Sequence, residues 1–349
     1  MADKERIARL KQVQKIVSKL PFQTLLIEHA TDIFYLTGLT LSKGMLLIDN
    51  RKSNLIVDGR YYEMATKKSP CPVTLLKKDA LKDQTGLGFC QEHTSYARFL
   101  ELKKISKKPT PIANPIDALR QIKDASELKK LKKAAILGSQ GFRFVRKNIK
   151  QGITESQLAL ELEIFWKKRG IEDISFSPIV AFGENSAIPH HHPGSRRLKP
   201  GDTVLIDLGV KWQGYCSDMT RTFFFGKPPQ KMREIYSIVL QAQENALKRC
   251  RAGASIETIE RAAKETIERA GYTLPHGLGH GIGLDIHEQP FITQRAKNTR
   301  LKRGMVITIE PGIYLPKIGG VRIEDSLIIE SQGHAILTHV SKKLDYVKL

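Results

Sequence analysis

At 349 residues, and roughly 150 per domain, the chain has room for about two domains and a sizeable core. Hydrophobic residues make up 41% and charged residues 27%, the balance of a soluble globular protein, and no apolar run approaches the ~18 residues of a membrane span. The 57 Lys and Arg against 36 Asp and Glu give +21, but the excess is spread along the chain with no aromatic-interleaved basic stripe, which favours a basic solvated surface over a nucleic-acid face.

The N-terminus, Met1-Ala2-Asp3-Lys4-Glu5, is both acidic and basic and lacks a targeting-type apolar stretch, so the expected location is the cytoplasm. Ile7, Leu10, Val13, Ile16, Val17 and Leu20 then fall at helical spacing and predict a core-facing helix rather than a membrane-surface one. Short apolar segments follow at Thr24–Ile27, Ile33–Leu36, Met45–Ile48 and Asn54–Val57, punctuated by Gly38, Gly44 and Gly59, as in a small α/β domain. Between Lys103 and Asp124 the pattern breaks into a connection containing Pro109, Pro111 and Pro115, which places the domain boundary near residue 123. The expected domains are therefore 1–123 and 124–349.

The second part predicts a long helix from Ala125 and another over Thr154–Lys168, then mixed structure to Pro200 and a strand pair over Thr203–Phe225. Helices over Lys231–Arg251 and Ser255–Ala270, a Gly/His-rich stretch over His276–His287 and a second strand pair over Met305–Ile329 complete it. The four cysteines, Cys71, Cys90, Cys216 and Cys250, form no CxxC pair and read as scattered thiols.

Both strand pairs carry acids where apolar strands end. Folding Thr203–Phe225 about a loop at Lys211–Gly214 sets Asp207 opposite Asp218, about 5 Å apart at Cβ. Two such carboxylates repel unless a cation lies between them or one keeps its proton. In the second pair Glu310 ends one strand before Pro311, and Glu324 lies on the returning strand, sharing a face with Arg322 while Val321 and Ile323 face the other way. The shared device suggests an internal duplication, a pseudo-twofold antiparallel sheet with carboxylates converging at its centre.

Between the pairs, His276, His280 and His287 alternate with Gly277, Gly279, Gly281 and Gly283. A phosphate-cradling loop is excluded, since no Gly-Lys-Ser/Thr follows and imidazoles interleave the glycines. Beside four acids a ligand role fits better. Asp207, Asp218, Glu310 and Glu324 total −4, neutral His280 adds nothing, and two divalent cations close the balance. Carboxylates with one imidazole and no thiolate suit Mn²⁺, Fe²⁺, Co²⁺ or Zn²⁺, and two such ions about 3.5–4 Å apart can activate a water between them.

These residues resemble the pita-bread metallopeptidases, and within them the Xaa-Pro peptidases. The matching stretches are Ile206-Asp-Leu-Gly209, Ser217-Asp-Met-Thr-Arg221, His276-Gly-Leu-Gly-His280-Gly-Ile-Gly283, Thr308-Ile-Glu-Pro-Gly312 and Val321-Arg-Ile-Glu-Asp325, in the family's order. Asp32-Ile-Phe-Tyr-Leu-Thr-Gly38 resembles the family's N-terminal domain. The resemblance implies an α/β (α+β) protein with a small N-terminal α/β domain and a C-terminal pita-bread fold, its pseudo-twofold antiparallel sheet flanked by helices. It makes Asp207 a ligand of one metal, Asp218 and Glu324 bridges, and His280 and Glu310 ligands of the other, with Glu310 also taking the proton from water.

His287 would bond the developing oxyanion, His276 would face the substrate pocket, and Arg322 would stand beside the bridging glutamate. Of His190, His191 and His192, the one directly after Pro189 fits the family's other catalytic histidine; the run also reads as a surface metal binder. The implied reaction is hydrolysis of X-Pro bonds with two divalent ions, Mn²⁺ first. The main expectation is release of the first residue from longer peptides by an Xaa-Pro aminopeptidase. The alternative is an Xaa-Pro dipeptidase (prolidase), followed by a methionine aminopeptidase or a metal-free binding module. Small peptides beginning X-Pro are the expected partners, with a homodimer formed through the first domain.

Overall fold

The computed structural model describes residues 2–78, 80–81, 86–106 and 108–347. The chain forms two compact units, Met1–Arg120 and Gln121–Leu349. Among the described residues, no helix is long and apolar enough to cross a membrane, and all four cysteines are unpaired.

The first unit is a mixed six-stranded sheet. Its order is Val73–Leu75, Ser53–Val57, Gly44–Ile48, Thr24–Ile27, Leu87–Cys90 and Thr110–Ile112, the last three mutually parallel. The opening helix spans Ala2–Val17 and turns Leu10, Val13 and Val17 inward, as its spacing requires. The apolar segment Ile33–Leu36 is the buried face of a helix, Ala30–Thr37.

The proline-containing stretch after Lys103 is not a bare connection. It holds the end of helix Tyr96–Ile105, strand Thr110–Ile112 and helix Pro115–Gln121. Pro111 is tolerated because its strand is at the sheet edge, where a missing N–H breaks no central ladder. Pro115 opens its helix, where the N–H would have no intrahelical partner anyway. Proline thus marks positions within elements here, not their absence.

The second unit is built twice over. In its first half, helices Ala125–Asn148 and Glu155–Lys167 precede antiparallel strands Ile179–Phe182, Thr203–Leu208 and Met219–Phe225. The second half has helices Gln230–Leu247 and Ile256–Arg269, then strands Gly279–Gly281, Val306–Ile309 and Asp325–Glu330. Capping boxes start the first two helices: the Asp124 and Thr154 side chains accept from the N3 backbone, and Glu127 and Gln157 reach back. Each half buries its own apolar cluster, around Trp166, Phe182 and Phe223 in one and Ile235, Ile259 and Ile307 in the other.

The halves also repeat in detail. Thr154 bridges to Arg197 and Ser255 to Arg300, and each arginine opens an Arg-Leu-Lys-x-Gly run leading into a core strand. From those arginines, Asp207 and Glu310 are the same number of residues along. This is the duplication expected from the paired acids.

The first hairpin departs from the expected register. Asp207 pairs with Thr220, not Asp218, and Trp212 pairs with Tyr215. Only Gln213 and Gly214 form the turn, at φ 51° and 86°, the two consecutive positive values of a type I′ hairpin. Centring the fold between Trp212 and Gln213 therefore set it one residue too early. Asp218 and Thr220 are two apart and share a face, so Asp218 is a diagonal neighbour of Asp207.

In the second hairpin the ladder Ile309↔Asp325 resumes as Gly312↔Arg322. The interruption holds Glu310 on one side and Glu324 on the other.

Candidate active site

The nine residues singled out in the second unit line one cleft of about 700 Å³: Asp207, Asp218, Glu310, Glu324, His190, His276, His280, His287 and Arg322. Each acid is delivered by the end of a buried strand, and the two halves are stitched at the centre. Glu324 donates its backbone N–H to the Thr220 carbonyl at 3.1 Å, and Thr222 Oγ1 donates to the Arg322 carbonyl at 3.0 Å. Arg221, fully buried, donates to the Glu324 carbonyl and, at 2.6 Å, to Asp325 Oδ1.

His280 reaches the centre through a backbone too tight for a side chain. A Cβ on Gly279 would sit 2.0 Å from the Thr308 carbonyl oxygen. The His280 N–H bonds Thr308 Oγ1 at 3.1 Å, and its Nδ1–H donates to the Gly281 carbonyl at 3.0 Å. A carbonyl only accepts, so in the neutral imidazole Nε2 is the nitrogen with the lone pair. That nitrogen lies 3.5 Å from Asp218 Oδ2 and 3.5 Å from Glu310 Oε1. Two donors each about 2.1 Å from one ion at a near-tetrahedral angle have this spacing.

The acids behave as a charge cluster wanting a cation. Burial, then the neighbouring Asp207 and Glu310, pushes Asp218 well above the ordinary carboxylate range. Burial and the charges of Asp218, Glu310 and Asp207 do the same to Glu324, and burial raises Glu310. Asp207 Oδ1 and Glu324 Oε1 are buried without a hydrogen-bond partner. Donor atoms of Asp218, His280 and Glu324 lie within 4.8 Å of one another. Orphaned hard oxygens, one oriented imidazole and no thiolate fit divalent cations.

Family models agree. That of "Metallopeptidase family M24" matches residues 129–331, and the "Creatinase/Prolidase N-terminal domain" matches 9–122. The chain belongs to metallopeptidase family M24. Among its M24 relatives, it is 37% identical over 346 residues to an Xaa-Pro dipeptidase of Pyrococcus furiosus, covering 96% of this chain and 99% of the relative. An Xaa-Pro dipeptidase structure from Bacillus anthracis superposes with a TM-score of 0.93 at 34% identity, over 99% of this chain and 100% of the other. An X-Pro aminopeptidase structure from Thermotoga maritima gives 0.88 at 32%, over 96% and 100%.

Arg322 is the hub of a hydrogen-bond chain in this M24 site. It donates to Asp207 Oδ2 at 2.6 Å, Thr220 Oγ1 at 3.1 Å, Tyr314 Oη at 2.9 Å and the Pro189 carbonyl at 3.3 Å. Tyr314 then donates to His276 Nε2 at 3.0 Å, because His276 Nδ1–H is already given to the Gly277 carbonyl at 2.8 Å. Both His276 nitrogens are spent, and burial lowers its pKa. It therefore offers substrate a ring surface. Sequence reading missed Tyr314, which looks like an ordinary strand residue.

It also missed Glu155. This buried carboxylate at a helix start accepts from Phe182 N at 2.8 Å, Asn185 Nδ2 at 2.9 Å, His191 Nε2 at 2.8 Å and Gly194 N at 3.0 Å. It fastens the loop that carries the three histidines and occupies His191 in doing so. His190 and His192 are exposed on the cleft. Glu155→Ala should release the loop and lower kcat about 10²-fold, the cost of roughly 1 Å of misplacement, with metal content unchanged. Elemental analysis beside steady-state kinetics separates the two effects; loss of metal together with rate would contradict a loop-only role.

Proposed function

We propose that this chain is an Xaa-Pro dipeptidase working with two divalent metal ions. The observation that carries the metallopeptidase chemistry is the convergence of four acids and one oriented imidazole, with two carboxylate oxygens left unpartnered. Near end-to-end likeness to Xaa-Pro dipeptidases favours the dipeptide over longer X-Pro peptides, which the sequence reading placed first. The likeness to an X-Pro aminopeptidase keeps that activity as the second reading.

Asp207, Asp218 and Glu324 would hold one ion, and Asp218, Glu324, His280 and Glu310 the other. When bound, such ions lower the pKa of a water and polarise the scissile carbonyl. Glu310, less buried than its neighbours, takes the proton released by the attacking water. His287, exposed at the rim with its ring 4.3 Å edge-on from that of His280, bonds the developing oxyanion together with His190. Arg322 keeps Asp207 aimed.

The X-Pro amide has no N–H, so recognition falls to shape. Phe176, Ile179, Phe291 and the His276 ring give the pyrrolidine an apolar wall. Among the described residues lining the cleft there is no lysine, and Arg322 is the one arginine, committed to Asp207. The free carboxylate of a dipeptide therefore falls to the exposed imidazole of His192.

A peptide panel with and without Mn²⁺ tests this. Metal-dependent hydrolysis of X-Pro with no cleavage of X-Pro-Y is expected. Cleavage of X-Pro-Y alone would reverse the assignment to the aminopeptidase, cleavage of Met-Ala peptides would move it to methionine removal, and no hydrolysis beside tight nucleic-acid binding would make it a binding module.

A further inference from the structure

The N-terminal unit holds a second cluster of metal-ligating side chains, remote in sequence from the cleft. Strands Thr24–Ile27, Leu87–Cys90 and Thr110–Ile112 are adjacent and parallel, so their C-terminal ends open on one edge of the sheet. In open α/β sheets this edge is where ligands bind. The segments leaving it carry His29, His93 and Asn114, and the helix after His29 adds Asp32 in its first turn.

The side chains meet. The His29 and His93 rings stack face to face, with centroids 3.7 Å apart and planes 3° from parallel. His29 Nδ1 lies 3.1 Å from Asp32 Oδ2, and one donor atom from each of His29, Asp32 and His93 lies within 4.8 Å of the other two. Asp32 is fully buried and held by Arg120 at 3.0 Å and Asn114 at 2.8 Å, so its position is fixed. Asn114 in turn bonds Asp117 at 2.8 Å through Nδ2, and its backbone N–H bonds Glu92 at 3.1 Å. Three carboxylates and one guanidinium leave this edge at −2, in a chain whose total is +21.

We propose that His29, His93 and Asp32 form a further metal site, taking one borderline divalent transition-metal ion such as Zn²⁺. Imidazole suits such ions, and two nitrogens, one carboxylate oxygen and a water complete four-coordination. Ligands on one ion stand up to about 4 Å apart, so the cluster needs only a small rotation of His93, which is exposed. The proton between His29 Nδ1 and Asp32 moves to Nε2, the other neutral tautomer, and the ion takes its place. Bound there, it ties the helix at Ala30–Thr37 to the segment after Leu87–Cys90.

The test is equilibrium dialysis of the full chain against micromolar Zn²⁺, counting ions per chain by elemental analysis. The parent should hold one ion more than His93→Asn, with X-Pro hydrolysis unchanged between them, and His93→Cys should restore the count. An equal count in parent and His93→Asn overturns the proposal. So does loss of the extra ion in His192→Asn but not in His93→Asn, which would place it on the three-histidine loop.

Discussion

Glu324→Gln should abolish metal-dependent hydrolysis while raising the melting temperature of the metal-free protein. The two effects have one cause. Glu324 is buried against Asp218, Glu310 and Asp207, and its Oε1 has no partner. The amide keeps the size of the carboxylate and can still accept from Thr220 Oγ1, which donates to Oε2 at 2.8 Å. What it removes is one acid from a quartet that must otherwise take up a cation or a proton. Activity should fall by more than the ~10–100-fold that loss of an outer metal partner costs.

Relief of repulsion worth about 1 kcal/mol should raise the metal-free midpoint by about 2–4 °C. Thermal melts in chelator and in excess Mn²⁺ measure both sides. The parent should melt higher with metal than without, and the variant should respond little. A variant that melts below the parent in chelator would refute the repulsion account.

Arg322→Met should act in the opposite sense on stability. The guanidinium makes four hydrogen bonds, the shortest of them to the Asp207 carboxylate. Burial works against the cation, yet Tyr314 and Asp207 hold its pKa well above the usual arginine value. Removing one partner of a buried ion pair costs about 3–5 kcal/mol, because the remaining charge stays desolvated. Urea unfolding of the metal-free protein should show a loss of that size. Arg322→Lys keeps a charge but not the fork, so it should recover part of the stability and little of the rate. An unfolding free energy within about 1 kcal/mol of the parent's for Arg322→Met would show that the network is not needed.

The four acids were legible because each stands beside an end of an apolar strand, and a solvated face does not account for carboxylates on otherwise buried strands; His280 was legible from the glycines around it. The hairpin register was legible too, had Gln213-Gly214 been taken as the whole loop. The recurrence of Arg-Leu-Lys-x-Gly at Arg197 and Arg300 was equally open to reading. Tyr314 and Glu155 were not. Their roles come from contacts across 8 to 39 residues that only the fold creates, and a first-turn helix acid like Glu155 already has an ordinary explanation in the helix dipole. The strand and helix after Lys103 were hidden because proline at an edge strand or a helix start leaves the same trace as proline in a loop.

The fastening of residues 182–194 by Glu155 bears on how such an enzyme changes its diet. All four donors converge on one side chain that touches neither an ion-binding acid nor His190. New residues at exposed cleft positions of this loop, such as 192, can therefore reshape the mouth of the cleft while His190, the clasp and the charged floor stay as they are. Selectivity for peptide length can drift through a few exposed positions without the catalyst being rebuilt.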